Sequence, residues 1–221
     1  KKPLIVKGAR QVGKTESIKR FALQHYANVI YINFVEEPIY KNILSDGYKV
    51  DSIIKNISLI DTTKQFIPQK TLIFFDELQD FSNMATALKF FKIDGRFDVI
   101  CSGSLLGLNY KQIESNSVGY KVDYEMTSLD FEEFLWAKGY QDDVVDDMLK
   151  HMSGLKPFSD VDMVVFNNLF LDYCILGGMP AVVNLYIKNQ TFTDTLELQK
   201  QLIQDYKEDI RKYVDGLDQT R

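Results

Sequence analysis

The chain has 221 residues, 45% hydrophobic and 26% charged, with a formal net charge of −5 at pH 7. Such a composition suits one sizeable core or a domain with a smaller partner, and it gives no helical membrane span, since no apolar run approaches the roughly 18–20 residues a span needs. The negative balance disfavours a surface that grips nucleic acid over its whole extent, because such surfaces neutralise phosphates with clustered Lys and Arg; only five arginines occur, Arg10, Arg20, Arg96, Arg211 and Arg221.

The run Leu4-Ile5-Val6 reads as a core strand, and Glu16 to Leu23 reads as a helix. Between them lies GARQVGKT, Gly8 to Thr15, in the strand, loop, helix setting that a phosphate loop requires. Gly8 and Gly13 allow turns that a Cβ would obstruct, so main-chain N–H groups can converge on phosphate oxygens. Lys14 is placed to reach the β- and γ-phosphates, and Thr15 to offer a hydroxyl to Mg²⁺. The helix that follows aims its positive end at the same anion. The competing reading is a surface turn that happens to carry glycine and lysine. The chain starts Lys1-Lys2-Pro3, without Met, and sequence upstream is expected to be missing.

Val29 to Phe34 is β-branched and aromatic and reads as the second strand, ended by Glu36-Glu37-Pro38. From Ile39 to about Asn56 the apolar spacing is helical but broken at Asp46-Gly47, predicting two short helices. Thr71 to Phe75 reads as a strand buried on both faces, surfacing at Asp76-Glu77. Asp76 suits Mg²⁺ and Glu77 suits the polarisation of a water for attack on the γ-phosphate. The alternative is that both acids merely open the next helix; Lys14, 62 positions earlier, weighs against it.

Ser82 to Ile93 reads as a helix with Ser82 or Asn83 near its N-cap, closed by Asp94-Gly95. Phe97 to Ser104 reads as the fourth strand, and ligands of an open parallel sheet bind at the carboxyl ends of strands, so Ser102 and Ser104 are candidate sensors of the γ-phosphate; a Ser-Gly turn is the competing reading. Arg96 precedes that strand, at the edge away from the phosphates, and reads as a solvated side chain. Asn109 to Gly119 reads as loop and Tyr120 to Met126 as a strand. Ser128 to Trp136 begins a capped helix. Four more helices follow: about Asp142 to Met152, Val161 to Leu176, Pro180 to Lys188 and Asp194 to Val214. Cys101 and Cys174 lack metal-ligand spacing and are expected as buried thiols of a cytoplasmic protein.

GARQVGKT, LIFFDELQD from Leu72 to Asp80, CSGS from Cys101 to Ser104 and SLDFEEFL from Ser128 to Leu135 together resemble a prokaryotic AAA-type ATPase family. The resemblance implies an α/β P-loop NTPase fold of the additional-strand, catalytic-glutamate type, with parallel strand order 5-1-4-3-2, and a helical segment after it. YCILGGMPAVV, Tyr173 to Val183, is similar to the start of that segment. The family stands beside the STAND signalling NTPases, whose Gly-x-Pro motif packs on the base; Gly178-Met179-Pro180 matches it, although Gly177-Gly178 as a helix stop and Pro180 as a helix start explain the same residues. Relatives often carry an arginine before the strand leading to FEEFL; here Gly119-Tyr120-Lys121 stands there, leaving Lys121 as a weaker stand-in. Arg211 is the other candidate, against a salt-bridged helix face.

The expected organisation is therefore an ATPase domain over residues 1–140 and a helical lid over 141–221 that begins a C-terminal domain. ATP and Mg²⁺ are the expected cofactors. Gly8, Ala9, Arg10, Gln11, Val12, Gly13, Lys14, Thr15, Glu16 and Pro180 are expected at the nucleotide, Thr15 and Asp76 at the metal, and Glu77, Lys14, Ser102 and Ser104 at the chemistry. Slow ATP hydrolysis is the expected activity; an ATP/ADP-gated switch acting on a C-terminal domain or a DNA-linked partner is the alternative. A protein partner, self-association and DNA stay open as partners. A GTPase is disfavoured by the lack of an Asn-Lys-x-Asp motif, and a small-molecule kinase by the scarcity of arginine.

Overall fold

The computed structural model describes residues 1–104 and 119–218. The loop expected from Asn109 falls outside them as far as residue 118. The described chain divides into two compact units, Lys1–Met126 and Thr127–Arg221.

In the first unit, β1 (Leu4–Gly8), β2 (Asn28–Asn33), β3 (Thr71–Asp76), β4 (Asp98–Ser104) and β5 (Val122–Glu125) form one parallel sheet in the order β2-β3-β4-β1-β5. This is the order 5-1-4-3-2 read from the other edge. Side chains alternate across a strand, so neighbours in sequence feed opposite cores. Ile5 and Phe75 pack with Ile53 and Ile57 of α2 (Val50–Ile60) and with Leu88 and Phe91 of α3 (Met84–Asp94). Val6 and Phe74 pack on the other face with Ile18 and Ala22 of α1 (Lys14–His25). All six residues of β3 are buried, as a central parallel strand covered on both faces requires, whereas β5 at the edge is exposed along its whole length.

Parallel pairing brings every carboxyl end to one side of the sheet: Gly8 lies opposite Ser104, and Asn33 opposite Asp76. The expected break at Asp46-Gly47 separates a 3₁₀ turn, Pro38–Asn42, from α2. Asn83 sits at the N-cap of α3 without a side-chain cap bond, and Gly95 closes that helix at φ 70°.

The second unit holds α4 (Phe131–Ala137), α5 (Asp142–Ser153), α6 (Asp160–Leu176), α7 (Pro180–Asn189) and α8 (Thr193–Asp218). The unit boundary falls before the FEEFL helix, not after it near residue 140, because α4 spends its apolar side chains among these helices. Phe134 packs with Leu176, Val182 and Val183, and Leu135 with Val145, Met148 and Leu169. Asp130 caps α4 in a reciprocal box with Glu133: the Glu133 N–H donates to Asp130 Oδ1 at 2.8 Å and the Asp130 N–H to Glu133 Oε2 at 3.1 Å. Cys101 is fully buried in β4, but Cys174 is exposed on α6, correcting the expectation of two buried thiols. α6 carries apolar residues around its whole circumference, and its Val161, Val164 and Leu171 are also mostly exposed. A small apolar residue type does not decide which face it occupies.

Gly177 stops α6 and Pro180 opens α7 at its first position. The two glycines between them serve different needs. Gly177 has φ 67° and ψ −175°, a region essentially restricted to glycine. At Gly178 a Cβ would lie 1.9 Å from the Leu129 carbonyl oxygen, and the Gly178 carbonyl accepts the Leu129 N–H at 2.8 Å. The main chains must separate to admit a methyl group. Gly178→Ala is expected to destabilise the second unit by about 1–3 kcal/mol, read as an earlier thermal unfolding transition; an unchanged transition would show that this close approach costs nothing to relax.

Candidate functional site

The main chain leaves β1 at Gly8, where a Cβ would lie 2.3 Å from the Met126 carbonyl oxygen. Gly8 is thus required by the close passage of the residue following β5. Gly13, at φ 99°, then turns the chain into α1. The first turn of α1 has N–H groups with no acceptor four residues back, which favours an anion at that end. A cleft of about 530 Å³ opens there, lined by Arg10, Gln11, Gly13, Lys14, Thr15 and Glu16 from the loop and α1, and by Val35, Glu77, Gln79, Asp80 and Ser104 from the strand ends. Val12 is 3% exposed, so of the loop positions it has only its main chain to offer a ligand.

Lys14 bends back over the loop and donates from Nζ to the carbonyls of Gly8 at 3.0 Å and Ala9 at 2.6 Å. Burial pushes the ammonium below its ordinary pKa; the carboxylates of Glu77 and Asp76 oppose that, and Arg10 reinforces it.

Asp76, at the end of β3, is 3% exposed and surrounded by neutral donors. Its Oδ2 accepts the Thr15 hydroxyl at 2.9 Å and the Tyr31 hydroxyl at 3.0 Å; its Oδ1 accepts the Glu77 N–H at 3.0 Å and the Ser102 hydroxyl. Glu77 lines the cleft in the left-handed region, φ 57° and ψ 48°, ahead of a 3₁₀ turn, Leu78–Phe81, whose N-terminus has no side-chain cap bond. Glu77 thus stands at the N-cap of a 3₁₀ turn, but the two acid side chains part: Asp76 is buried beneath the cleft and Glu77 faces it.

The sequence treated Ser102 and Ser104 as equivalent; the structure separates them. Ser102 is 0% exposed and holds Asp76 from below, whereas Ser104 lines the cleft. Arg96 is away from the cleft, as expected, but its guanidinium is paired with Asp94 at 2.7 Å and Asp51 at 2.5 Å, not simply solvated. Lys121 has a side chain only 7% exposed and is paired with Asp123, which also holds Lys7 at 3.0 Å. Arg211 is exposed on α8, and no described carboxylate pairs with it. Two participants went unnoticed in the sequence, Tyr31 and Gln79. The signal for Tyr31 was its place two residues before the end of a strand, and for Gln79 its place two residues after Glu77.

A parallel sheet whose first strand enters a glycine-lysine-threonine loop, with an acidic pair at the end of β3, one strand removed across β4, defines a P-loop NTPase. The chain belongs to the AAA family: residues 1–135 match the family model described as an AAA domain. Nucleotide binding is the property of that family. The chain is 24% identical over 207 residues to an uncharacterized protein of Methanocaldococcus jannaschii, covering 93% of this chain and 40% of that one. The chain thus spans less than half the length of this relative. Among solved structures it overlaps a variant of Thermotoga maritima RuvB (TM-score 0.40, 15% identity, 62% of this chain and 43% of that one). It also overlaps Caenorhabditis elegans PCH-2 (0.39, 11%, 72% and 42%) and the ADP form of Aeropyrum pernix ORC2 (0.39, 15%, 61% and 44%). Among the described residues no helix is long and apolar enough to cross a membrane.

Proposed function

We propose that this chain binds Mg²⁺-ATP and hydrolyses it slowly to ADP and phosphate. The observation that carries the reading is the direct bond between the Thr15 hydroxyl and the Asp76 carboxylate, at a cleft that Lys14 and Glu77 also line. A hydroxyl touching a buried carboxylate that only neutral donors contact fits a hard cation, which prefers oxygen ligands. No group of three or more His, Cys, Asp or Glu that could hold a metal occurs among the described residues, so Mg²⁺ there would complete its shell with water and phosphate oxygens. When bound, the ion neutralises charge developing on the β- and γ-phosphates.

The chain's own residues then divide the work. Main-chain N–H groups from Ala9 to Glu16 and the Lys14 ammonium hold the phosphates, with Arg10 and Gln11 at the rim. Thr15 and Asp76 hold the metal, with Ser102 and Tyr31 fixing the Asp76 carboxylate. Glu77 orients the attacking water, and Ser104 stands where the γ-phosphate is sensed. Engagement of Lys121 by Asp123 supports slow turnover, since that side chain is committed to a carboxylate of the adjoining edge strand. The same observation favours a second reading, a nucleotide-gated switch that turns over only when a partner supplies a further cation.

Purified chain incubated with ATP should release phosphate only when Mg²⁺ is present, and Asp76→Asn should raise the Mg²⁺ concentration needed for half-maximal rate by about 10-fold or more. Equal rates with and without a chelator would remove the metal from the site. Tight retention of ADP through gel filtration, with turnover appearing only on addition of a partner protein or DNA, would establish the switch instead.

A further inference from the structure

We propose that Gln79 is a positioning residue for the hydrolytic step: its amide ties the Glu77 carboxylate to the carboxyl end of β4 and so sets the direction in which Glu77 meets the water. The inference rests on the ATPase reading above.

The network itself orients this amide. The Ser104 main-chain N–H can only donate, and it donates to Gln79 Oε1 at 3.2 Å, so the oxygen must point that way. A carboxylate only accepts, so the NH₂ group must be the end that donates to Glu77 Oε2, as it does. Reversing the amide would set acceptor against acceptor and donor against donor. The bridge is thus directional, not a chance contact between two polar side chains.

Its base is rigid. Gln79 stands on the 3₁₀ turn whose Leu78 is 0% exposed and whose Phe81 packs edge-on against Phe34, with centroids 5.0 Å apart. Ser104 in turn lies opposite Gly8, the residue that starts the phosphate loop. Glu77 needs such a tether. Its main chain is held at φ 57°, but a glutamate side chain at an open cleft has three free torsions and must give up rotamer freedom to be fixed. With Oε2 held, Oε1 is the oxygen presented to water. In the step that follows, the water oxygen bonds to the γ-phosphorus as the β,γ-bridging P–O bond breaks. ADP leaves with the electron pair, and the water's proton passes to Glu77 Oε1 and then to solvent.

The test compares the wild-type chain with Gln79→Leu, Gln79→Glu, Glu77→Gln and the Gln79→Leu/Glu77→Gln double variant. Affinity is read with a fluorescent ATP analogue and turnover by steady-state and single-turnover phosphate release. Gln79→Leu should lower kcat roughly 10- to 100-fold while leaving KM and nucleotide affinity within about twofold. Gln79→Glu, nearly isosteric but unable to donate when ionised, should lose at least as much, so a folding defect in the leucine variant would not hide the effect. In the Glu77→Gln background, Gln79→Leu should cost nothing further, because a residue acting through Glu77 has nothing left to act on. A kcat for Gln79→Leu equal to or above that of an active wild type, or a full additional loss in the double variant, overturns the role of Gln79 and leaves the ATPase reading standing. A wild-type chain that binds ATP without ever releasing phosphate overturns both.

Discussion

Lys14→Ala is expected to abolish measurable ATP binding. The ammonium is held across the loop by the carbonyls of Gly8 and Ala9, so it is already at the place where phosphate oxygens would replace those acceptors. Burial lowers its pKa although the Glu77 and Asp76 carboxylates oppose the shift, so a triphosphate adds negative charge beside a partly desolvated ammonium. Bonds from a charged donor to a charged acceptor are worth about 1.5–3 kcal/mol each, so the loss of two of them weakens binding by at least roughly 100-fold. Titration calorimetry should show no heat, and the rise in unfolding temperature that ATP gives the wild type should disappear. Binding by the alanine variant at wild-type affinity would take Lys14 off the phosphates altogether.

Glu77→Gln separates chemistry from binding. The residue lines the cleft but contributes to neither the Lys14 cradle nor the bonds that hold Thr15 to Asp76; its main-chain N–H, which Asp76 accepts at 3.0 Å, survives the substitution. Nucleotide and Mg²⁺ affinities should therefore stay within a few-fold of wild type, whereas kcat falls by about 10²–10⁴, the usual span for a general base. Rapid phosphate-release measurements at saturating ATP, beside the same titration used for Lys14→Ala, give both numbers on one preparation. Equal losses of binding and turnover in both variants would mean that the two roles have been assigned wrongly.

What was legible in the sequence was local. GARQVGKT carries its meaning within eight residues, because glycine spacing, a lysine and a hydroxyl next to a helix start form one continuous main-chain object. The same holds for the helix punctuation at Gly95, at Gly177 and at Pro180, and for the apolar run that ends in Asp76-Glu77: each is dictated by the neighbours of the residue itself. Strand order came with the resemblance that those motifs brought, and the sheet has it.

What only the tertiary structure decided was who touches whom across the strand ends. Tyr31, Asp76, Ser102 and Thr15 come from four elements, and pairing in a parallel sheet, not distance along the chain, puts their polar atoms within bonding range. Ser102 and Ser104 are indistinguishable as residue types two apart on one strand, but the Asp76 carboxylate takes the first and the cleft takes the second. Gly8 is needed for the passage of Met126, and Gly178 for the carbonyl of Leu129, neither of which lies next to it in the chain. Chain identity sets torsions, caps and hydrophobic period; the packing of separated segments sets which carboxylate is buried and which lines the cleft.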